Sequence, residues 1–224
     1  MKTTLEPTDQ TYSELQYAYA YYNEKLFGGQ LPDCLITLQR KNRARGYYCR
    51  DSFTHQTTGE NADEIALNPH YFALRRNDEV LSTLAHEMVH LKQYRFGQPG
   101  RGRYHNKQWA DWMEGIGLCP SSTGKPGGNR TGDSMTHYIV SGGRFEVVTA
   151  QLLNQGFGLS WAEYVPDAAA TDSGHDMPSV EVVATTGNRW KYTCPSCALN
   201  AWAKPHAALV CGDCDEDLIS ENDV

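Results

Sequence analysis

The sequence predicts an α+β fold, with helices packed on a small sheet and a separate cysteine-rich module near the C-terminal end. Three features predict this architecture. Apolar residues recur at helical spacing before residue 28 and again after residue 78, and the stretch between these segments holds short runs rich in β-branched residues. The third feature is a pair of C-x2-C motifs within residues 194–214.

The composition is that of a globular protein and excludes disorder along the whole chain, because 40% of the 224 residues are hydrophobic and 21% are charged. No apolar run approaches about 18 residues, and the N-terminus lacks the basic-then-apolar order of a signal peptide. We therefore expect a cytoplasmic protein that makes no membrane contact, and we expect it to be a monomer. The formal net charge of −7 argues against a protein that coats nucleic acid with its whole surface.

The first helix is predicted over residues 11–27, where apolar side chains recur at steps of three and four, and Gly28-Gly29 would end it. The segment CLITLQR predicts a first strand and RGYYCRDSF its hairpin or sheet neighbour. DEIALNP predicts a short strand stopped by Asn68-Pro69. The apolar stripe of the helix consists of Leu15, Tyr19, Tyr22 and Leu26.

A second helix is predicted over residues 78–97, from an N-cap at Asn77 to a left-handed Gly97. At about 100° per residue, His86 and His90 lie on the side opposite the apolar stripe. The stripe, which should face the core, consists of Val80, Leu84, Met88 and Leu91.

A third helix is predicted over residues 106–116 and ended by Gly117. Residues 120–133 are rich in Gly, Pro, Ser and Thr and predict a long loop, after which HYIVSGGRFEVVTAQLL is typical of a hairpin leading into a helix or strand. Small polar residues over 166–179 predict a flexible boundary. The predicted divisions are a core domain over 1–120, a linker and accessory segment of unknown role over 121–187, and a cysteine module with an acidic tail over 188–224.

Residues 86–90 read HEMVH, a pattern that indicates a metal site with a catalytic base. Two histidines one helical turn apart can direct their imidazoles at one cation, and a glutamate beside the first can reach the water bound there. Zinc lowers the pKa of that water, while the carboxylate carries its proton to the leaving amine. The pattern therefore predicts His86 and His90 as ligands of a catalytic zinc ion and Glu87 as the general base and later acid.

The third ligand decides the class of zinc site, and the residues leave two candidates. A histidine six positions after His90 would mark a metzincin, but that position is Phe96, which excludes the class. One candidate is Glu114 in the third helix, with Asp111 behind it. The other is His105, fifteen residues after His90, where the third helix should begin.

Four of the seven cysteines form two C-x2-C pairs separated by thirteen residues. Such pairs make tight turns that direct two thiolates at one ion, and a module of about 20 residues buries too little apolar area to fold without one. In a protein without a secretory signal, this pattern favours a metal over disulfides. The predicted ligands of a structural zinc ion are Cys194, Cys197, Cys211 and Cys214. Trp190, Tyr192, Trp202 and Lys204 could either stack on bases or form a miniature core over the metal.

Basic residues cluster in two stretches of the first half, although the whole chain is acidic. Such clusters can contact phosphates and would make binding sensitive to salt. The candidate nucleic-acid contacts are Lys41, Arg43, Arg45, Arg101 and Arg103.

Taken together, these motifs resemble one family. The succession YNEKLFGGQLPDCLITL, RARGYY, EIALNP, LSTLAHEMVHLKQY and YHNKQWADWMEGIGL, followed by a four-cysteine ribbon, is similar to the SprT-like zinc metallopeptidases, relatives of the DNA-dependent protease Spartan. The resemblance covers residues 12–119 closely and 190–215 again. It implies a zincin-like metallopeptidase domain followed by a zinc ribbon, and it implies His105 as the third zinc ligand.

The resemblance also implies a zinc-dependent endopeptidase acting on proteins, with DNA-bound or DNA-crosslinked proteins as substrates and single-stranded DNA as a partner. An alternative from another class is a non-catalytic zinc adaptor that binds nucleic acid or a polymerase, in which the HEMVH site is vestigial or structural. A deformylase-like hydrolase would need a cysteine ligand upstream of the helix, and Cys49 lies in a setting, YYCRD, that offers no supporting motif.

Overall fold

A computed structural model describes residues 6–42, 44–164 and 190–220. The chain divides into two compact units, residues 1–170 and 171–224. The boundary predicted at 166–179 lies outside the described residues.

The first unit begins with α1, Pro7–Phe27, whose predicted stripe is buried in the core. The helix starts four residues earlier than the stripe indicates, because Pro7 occupies the first turn, where its missing N–H costs no hydrogen bond. Gly28 ends the helix, as predicted; it adopts the left-handed conformation with a φ of 67°, and its N–H donates to the carbonyl of Asn23.

The sheet consists of β1 (Leu35–Leu38), β2 (Gly46–Thr54) and β3 (Asn61–Leu67) in the order β1-β3-β2. β3 runs parallel to β1 and antiparallel to β2. The expectation that the second strand is the neighbour of the first was therefore wrong. β3 lies in the centre, and of the three strands it alone is buried continuously, from Asp63 to Leu67.

Helix α3, Asn77–Phe96, follows the short α2, His70–Leu74, and runs through the centre of the unit, with twelve of its twenty residues buried. Two end assignments were wrong. Arg76 rather than Asn77 is the N-cap, and the side chain of Glu79 accepts a hydrogen bond from the backbone N–H of Arg76. Gly97 is extended rather than left-handed.

Gly97 meets a different requirement, the close approach of the next helix. A Cβ at this position would lie 2.4 Å from the side-chain oxygen of Gln108 and 2.8 Å from the ring of Trp112. Both residues belong to α4, Lys107–Gly115, which Asn106 caps by accepting a hydrogen bond from the N–H of Trp109. The predicted third helix is thus confirmed to within a residue at each end.

Three further elements follow within the first unit: β4 (Leu118–Ser121), β5 (Thr136–Ile139) and α5 (Arg144–Asn154). The hairpin predicted within HYIVSGGRFEVVTAQLL was wrong, because β5 pairs with β4, on the other side of the irregular residues 122–135. The predicted alternative of a helix after this strand is confirmed by α5. Phe145 and Leu152 of α5 are fully buried in the same core as α1 and α3. The described part of the predicted accessory segment therefore completes the core of the first unit.

The second unit is a three-stranded antiparallel sheet in the order β7-β6-β8, made of β6 (Trp190–Thr193), β7 (Asn200–Ala203) and β8 (Ile219–Ser220). Its small core contains Tyr192, Leu218 and two of the four paired cysteines. Among the described residues of both units, no helix is long and apolar enough to cross a membrane.

Candidate metal centre

The three predicted histidines converge on one point. His86 and His90 lie one turn apart on α3, and His105 comes from the segment that leads into α4. Their ligand-competent nitrogens all lie within 4.8 Å of one another, and the Nε2 atoms of His90 and His105 are 3.1 Å apart. Tetrahedral zinc with bonds of about 2.0–2.1 Å holds ligand nitrogens roughly 3.3 Å apart, so the three side chains fit a zinc ion.

Glu114 and Asp111, the alternative ligands, lie on another face of α4. Both are partly exposed and form ion pairs with Arg130, and Asp111 also pairs with Lys107. The opposite face of α4 carries Trp109 toward the histidines. The fold thus brings His105, and not Glu114, to the HEMVH helix.

The histidines are held in the neutral form that binds metal. Burial lowers the pKa of His86 well below its ordinary value. Burial, and then the neighbouring His105, lower the pKa of His90 to about 3, and burial also lowers the pKa of His105. Neutral imidazoles offer a lone pair to a cation without first releasing a proton.

Glu87 is buried beside the histidines, with 6% of its surface exposed. Burial raises the pKa of its carboxyl to about 8, against the opposing effect of a hydrogen bond from the backbone N–H of Tyr48. A carboxyl group with a pKa close to neutrality is suited both to take and to return a proton.

Asp63 of β3 links α3 to β2, the strand that contains Tyr48, and is only 1% exposed. Its carboxylate accepts hydrogen bonds from Nε and Nη2 of Arg95 at 2.9 and 2.7 Å, from the hydroxyl of Tyr48 at 3.0 Å and from the N–H of Asp51 at 2.9 Å. Burial by itself would raise the pKa of Asp63, but these bonds outweigh it and hold the pKa below its ordinary value. The cluster therefore stabilises β2 against α3 near Glu87.

The sequence did not predict the residues that contact the Nδ1 atoms of two of the predicted ligands. The Nδ1 atom of His105 lies 3.1 Å from the carbonyl oxygen of Gly132, and the Nδ1 atom of His86 lies 3.1 Å from Nδ1 of His137. Burial, and then Arg75 and Arg45, lower the pKa of His137 to about 3. A lone histidine in a predicted strand gives no sign that it meets a helix 51 residues earlier.

Trp109 also forms a wall of the site, a role that the sequence did not indicate. Its ring centroid lies 5.0 Å from that of His86, 5.4 Å from that of His90 and 4.4 Å from that of His105. The indole is fully buried, so it excludes water from one side of the three imidazoles.

A cavity of about 560 Å³ contains this site. Its lining includes the three histidines, Glu87 and four tyrosines, and it also includes three of the basic residues predicted to contact nucleic acid, Lys41, Arg45 and Arg103. Arg101 lies in the exposed turn beside Arg103. Arg43 lies outside the described residues.

The four cysteines of the second unit also converge. Their sulfur atoms lie within 4.8 Å of one another, and those of Cys197 and Cys211 are 3.6 Å apart. Tetrahedral zinc with bonds of about 2.3 Å holds sulfurs roughly 3.8 Å apart, so this group also fits zinc. Backbone N–H groups of Cys197 and Ser196 help to lower the pKa of Cys194, which favours the thiolate that binds metal.

The aromatic residues of the second unit divide between the two predicted roles. Tyr192 is buried beside the cysteines, and its hydroxyl donates to the carbonyl of Lys204 and accepts from the N–H of Ala207. It is therefore a core residue. Trp202 is 60% exposed and remains available for stacking.

The SprT-like family model matches residues 15–127, about half of the chain. The chain is also 52% identical over 59 residues to an uncharacterized protein in the mucB 3′ region of Salmonella typhimurium, a match that spans 26% of this chain and 80% of that protein. No solved structure gives a significant match. The resemblance carried by the motifs is thus confirmed, and the chain belongs to the SprT-like family, which is associated with metallopeptidase-like proteins.

Proposed function

We propose that the first unit is a zinc-dependent endopeptidase that uses His86, His90 and His105 as zinc ligands and Glu87 as its general base. The observation that carries the proposal is the convergence of three neutral imidazoles beside a buried carboxyl group in one cavity. The second unit holds a structural zinc ion through its four cysteines.

Bound zinc would supply a Lewis acid for the scissile carbonyl and lower the pKa of the attacking water. Glu87 would take a proton from the attacking water as the water oxygen bonds to the carbonyl carbon, and would return it to the leaving nitrogen as the C–N bond breaks. The N–H of Tyr48 keeps the carboxylate in place. Trp109 limits the access of bulk water to the imidazoles.

The substrate would bind along β2. This strand lies at an edge of its sheet, and its residues Gly46, Tyr47 and Tyr48 line the cavity. An extended peptide can add to such an edge through backbone hydrogen bonds, which suits an endopeptidase of broad sequence tolerance.

We propose DNA-bound or DNA-crosslinked proteins as the substrates and single-stranded DNA as the partner. Lys41, Arg45 and Arg103 support this proposal, because they place positive charge in the lining of the same cavity as the predicted zinc ligands. Phosphate contacts release counterions, so binding should weaken steeply with salt, and each lost contact should lower the slope of log affinity against log salt by about 1. A salt-independent affinity would remove DNA from the proposal.

The test is cleavage of a DNA-binding protein by the full-length wild type and by Glu87→Gln, each with and without single-stranded DNA, together with the zinc content. Glu87→Gln should lose about 10²-fold or more of the activity and retain both zinc ions, because the substitution removes the base but no ligand. The matched control is Glu114→Gln, which alters a partly exposed glutamate on α4 and should cleave like the wild type. His105→Ala should lose one zinc ion.

The possible results distinguish a DNA-dependent peptidase, a peptidase that does not need DNA, and a zinc adaptor. Cleavage that requires single-stranded DNA and is lost in Glu87→Gln supports the whole proposal, whereas cleavage without DNA dependence retains the enzyme and removes the DNA-linked substrate. Cleavage that persists in Glu87→Gln refutes the mechanism. Absence of cleavage under every condition, with two zinc ions bound, favours a zinc adaptor for nucleic acid or a polymerase.

A further inference from the structure

A chain of hydrogen bonds runs behind His86, on the side of the ring that carries Nδ1. His86 Nδ1 lies 3.1 Å from Nδ1 of His137, and His137 Nε2 lies 2.9 Å from the hydroxyl oxygen of Ser82. The hydroxyl of Ser82 lies 2.8 Å from the backbone carbonyl oxygen of Glu79. Ser82 and Glu79 belong to α3, the same helix as His86, whereas His137 comes from β5.

The position of every proton in this chain follows from its last member. A carbonyl oxygen only accepts, so Ser82 donates its single proton to Glu79 and must accept from Nε2–H of His137. A neutral imidazole carries one N–H, which leaves a lone pair on Nδ1 of His137. The Nδ1 atom of His86 must therefore carry the proton, and its Nε2 atom carries the lone pair.

We propose that His137, fixed by Ser82, is a positioning residue that sets the tautomer and the ring orientation of the metal ligand His86. The proposal rests on the zinc site proposed above. His105 has a simpler version of the same arrangement, since its Nδ1 atom faces the carbonyl oxygen of Gly132.

Both of these supporting residues lie beyond residue 127, where the family match ends. The loop and strand between β4 and α5 thus complete the site, although no residue of this stretch is a predicted ligand. Partners of this kind fix the ring and raise its basicity, and their loss weakens metal binding by about 10–100-fold.

The first measurement is the zinc affinity of the histidine site in the full-length protein, by competition with a chelator, with the cysteine site as an internal reference. His137→Leu removes the acceptor and should weaken zinc binding at the histidine site by about 10–100-fold. In His137→Asn, the amide oxygen takes the place of Nδ1 and should restore most of the affinity. Ser82→Ala removes the hydrogen bond that fixes the tautomer of His137, so its loss of zinc affinity should lie between those of His137→Asn and His137→Leu.

The matched control is Tyr138→Phe, which changes the next residue of β5 but not the chain of hydrogen bonds. Its zinc affinity should equal that of the wild type. If His137→Asn is as weak as His137→Leu, or if Tyr138→Phe loses as much as either, the effect reflects packing of β5 and the proposal is overturned. Should His137→Leu fail to fold, Ser82→Ala and His137→Asn still decide the question.

The second measurement reads the protons directly by nuclear magnetic resonance of the zinc-loaded, histidine-labelled chain. We expect a proton on Nδ1 of His86, a proton on Nε2 of His137, and a scalar coupling between the two Nδ1 nitrogens across their hydrogen bond. A proton on Nδ1 of His137 would overturn the proposal. This readout requires no catalysis, so an inactive protein with the expected proton positions would refute the peptidase and leave the role of His137 intact.

Discussion

Arg95→Ala should destabilise the first unit strongly, because it leaves the carboxylate of Asp63 buried without its cation. Arg95 supplies two of the four hydrogen bonds to Asp63, through Nε and Nη2, and Asp63 is only 1% exposed. Removing one partner of a buried ion pair costs about 3–5 kcal/mol. The hydrogen bonds from Tyr48 and Asp51 persist, so we expect a value near the lower limit, about 3 kcal/mol.

The destabilisation should depend on pH. In the wild type the pKa of Asp63 is held below its ordinary value, so its contribution to stability is complete above the unfolded pKa, about 4, and is lost only as pH falls through the lower folded pKa. Without Arg95, burial dominates and raises the pKa of Asp63. The variant then regains stability as pH falls from 7 toward 5, while the wild type loses none from this group, and the difference between them shrinks.

The assay is urea unfolding followed by circular dichroism at 222 nm, which reports on the first unit because all five described helices belong to it. Arg76→Ala is the control. Its ion pair with Asp78 is of similar length, 2.9 Å against 2.7 Å for Arg95 and Asp63, but the Arg76 side chain is 72% exposed, so the loss should stay below about 1 kcal/mol. Equal losses in the two variants, or a difference between Arg95→Ala and the wild type that does not change with pH, would refute the reasoning.

Three further predictions concern the elements that complete the two units. Leu152→Ala opens a cavity at a fully buried position of α5 and should lower the free energy of unfolding by about 2–5 kcal/mol in the same urea assay. A loss below about 1 kcal/mol would show that α5 is not part of the core. Gly117→Ala should lower the free energy of unfolding by about 1–3 kcal/mol, because Gly117 has a φ of 90° and a Cβ there would lie 2.8 Å from the backbone nitrogen of Arg144. Its control is Gly115→Ala, because nothing lies within 4 Å of a Cβ at that position. Cys211→Ala should reduce the zinc content from two ions to one while the signal at 222 nm persists, and two retained ions would exclude the four-cysteine site.

The elements that position the ligands could be predicted because each has a local cause. The stripe of α1 and its Gly28 end, the apolar face of α3 and the Asn106 cap of α4 all depend on residues within a few positions of one another. The pair His86 and His90 is local in the same sense, because one helical turn separates the two residues. The sequence alone did not decide between His105 and Glu114 as the third ligand, because that choice depends on which face of α4 meets α3.

The missed features depend on contacts between distant segments. The order β1-β3-β2 is set by which strand is buried on both faces, and the extended Gly97 is set by side chains of α4. Gly132 lies within a long irregular loop and His137 follows it, so neither periodicity nor spacing connects them to the HEMVH helix. Only the fold reveals that the accessory segment holds two of the three candidate ligands in place.

His105 is fastened to the loop between β4 and β5 at three points. Its N–H and carbonyl pair with the carbonyl and N–H of Gly132, and its ring faces the same Gly132 carbonyl. If the site binds a metal ion, its occupancy would be linked to the ordering of residues 122–135, with the same coupling free energy in both directions. If opening of the loop releases the ion, free zinc at about 100 times its dissociation constant favours the closed loop by about 2.7 kcal/mol. Protease nicking within the loop should then slow by up to about 100-fold on zinc addition, so that the loop reports the occupancy of a site it does not itself ligate.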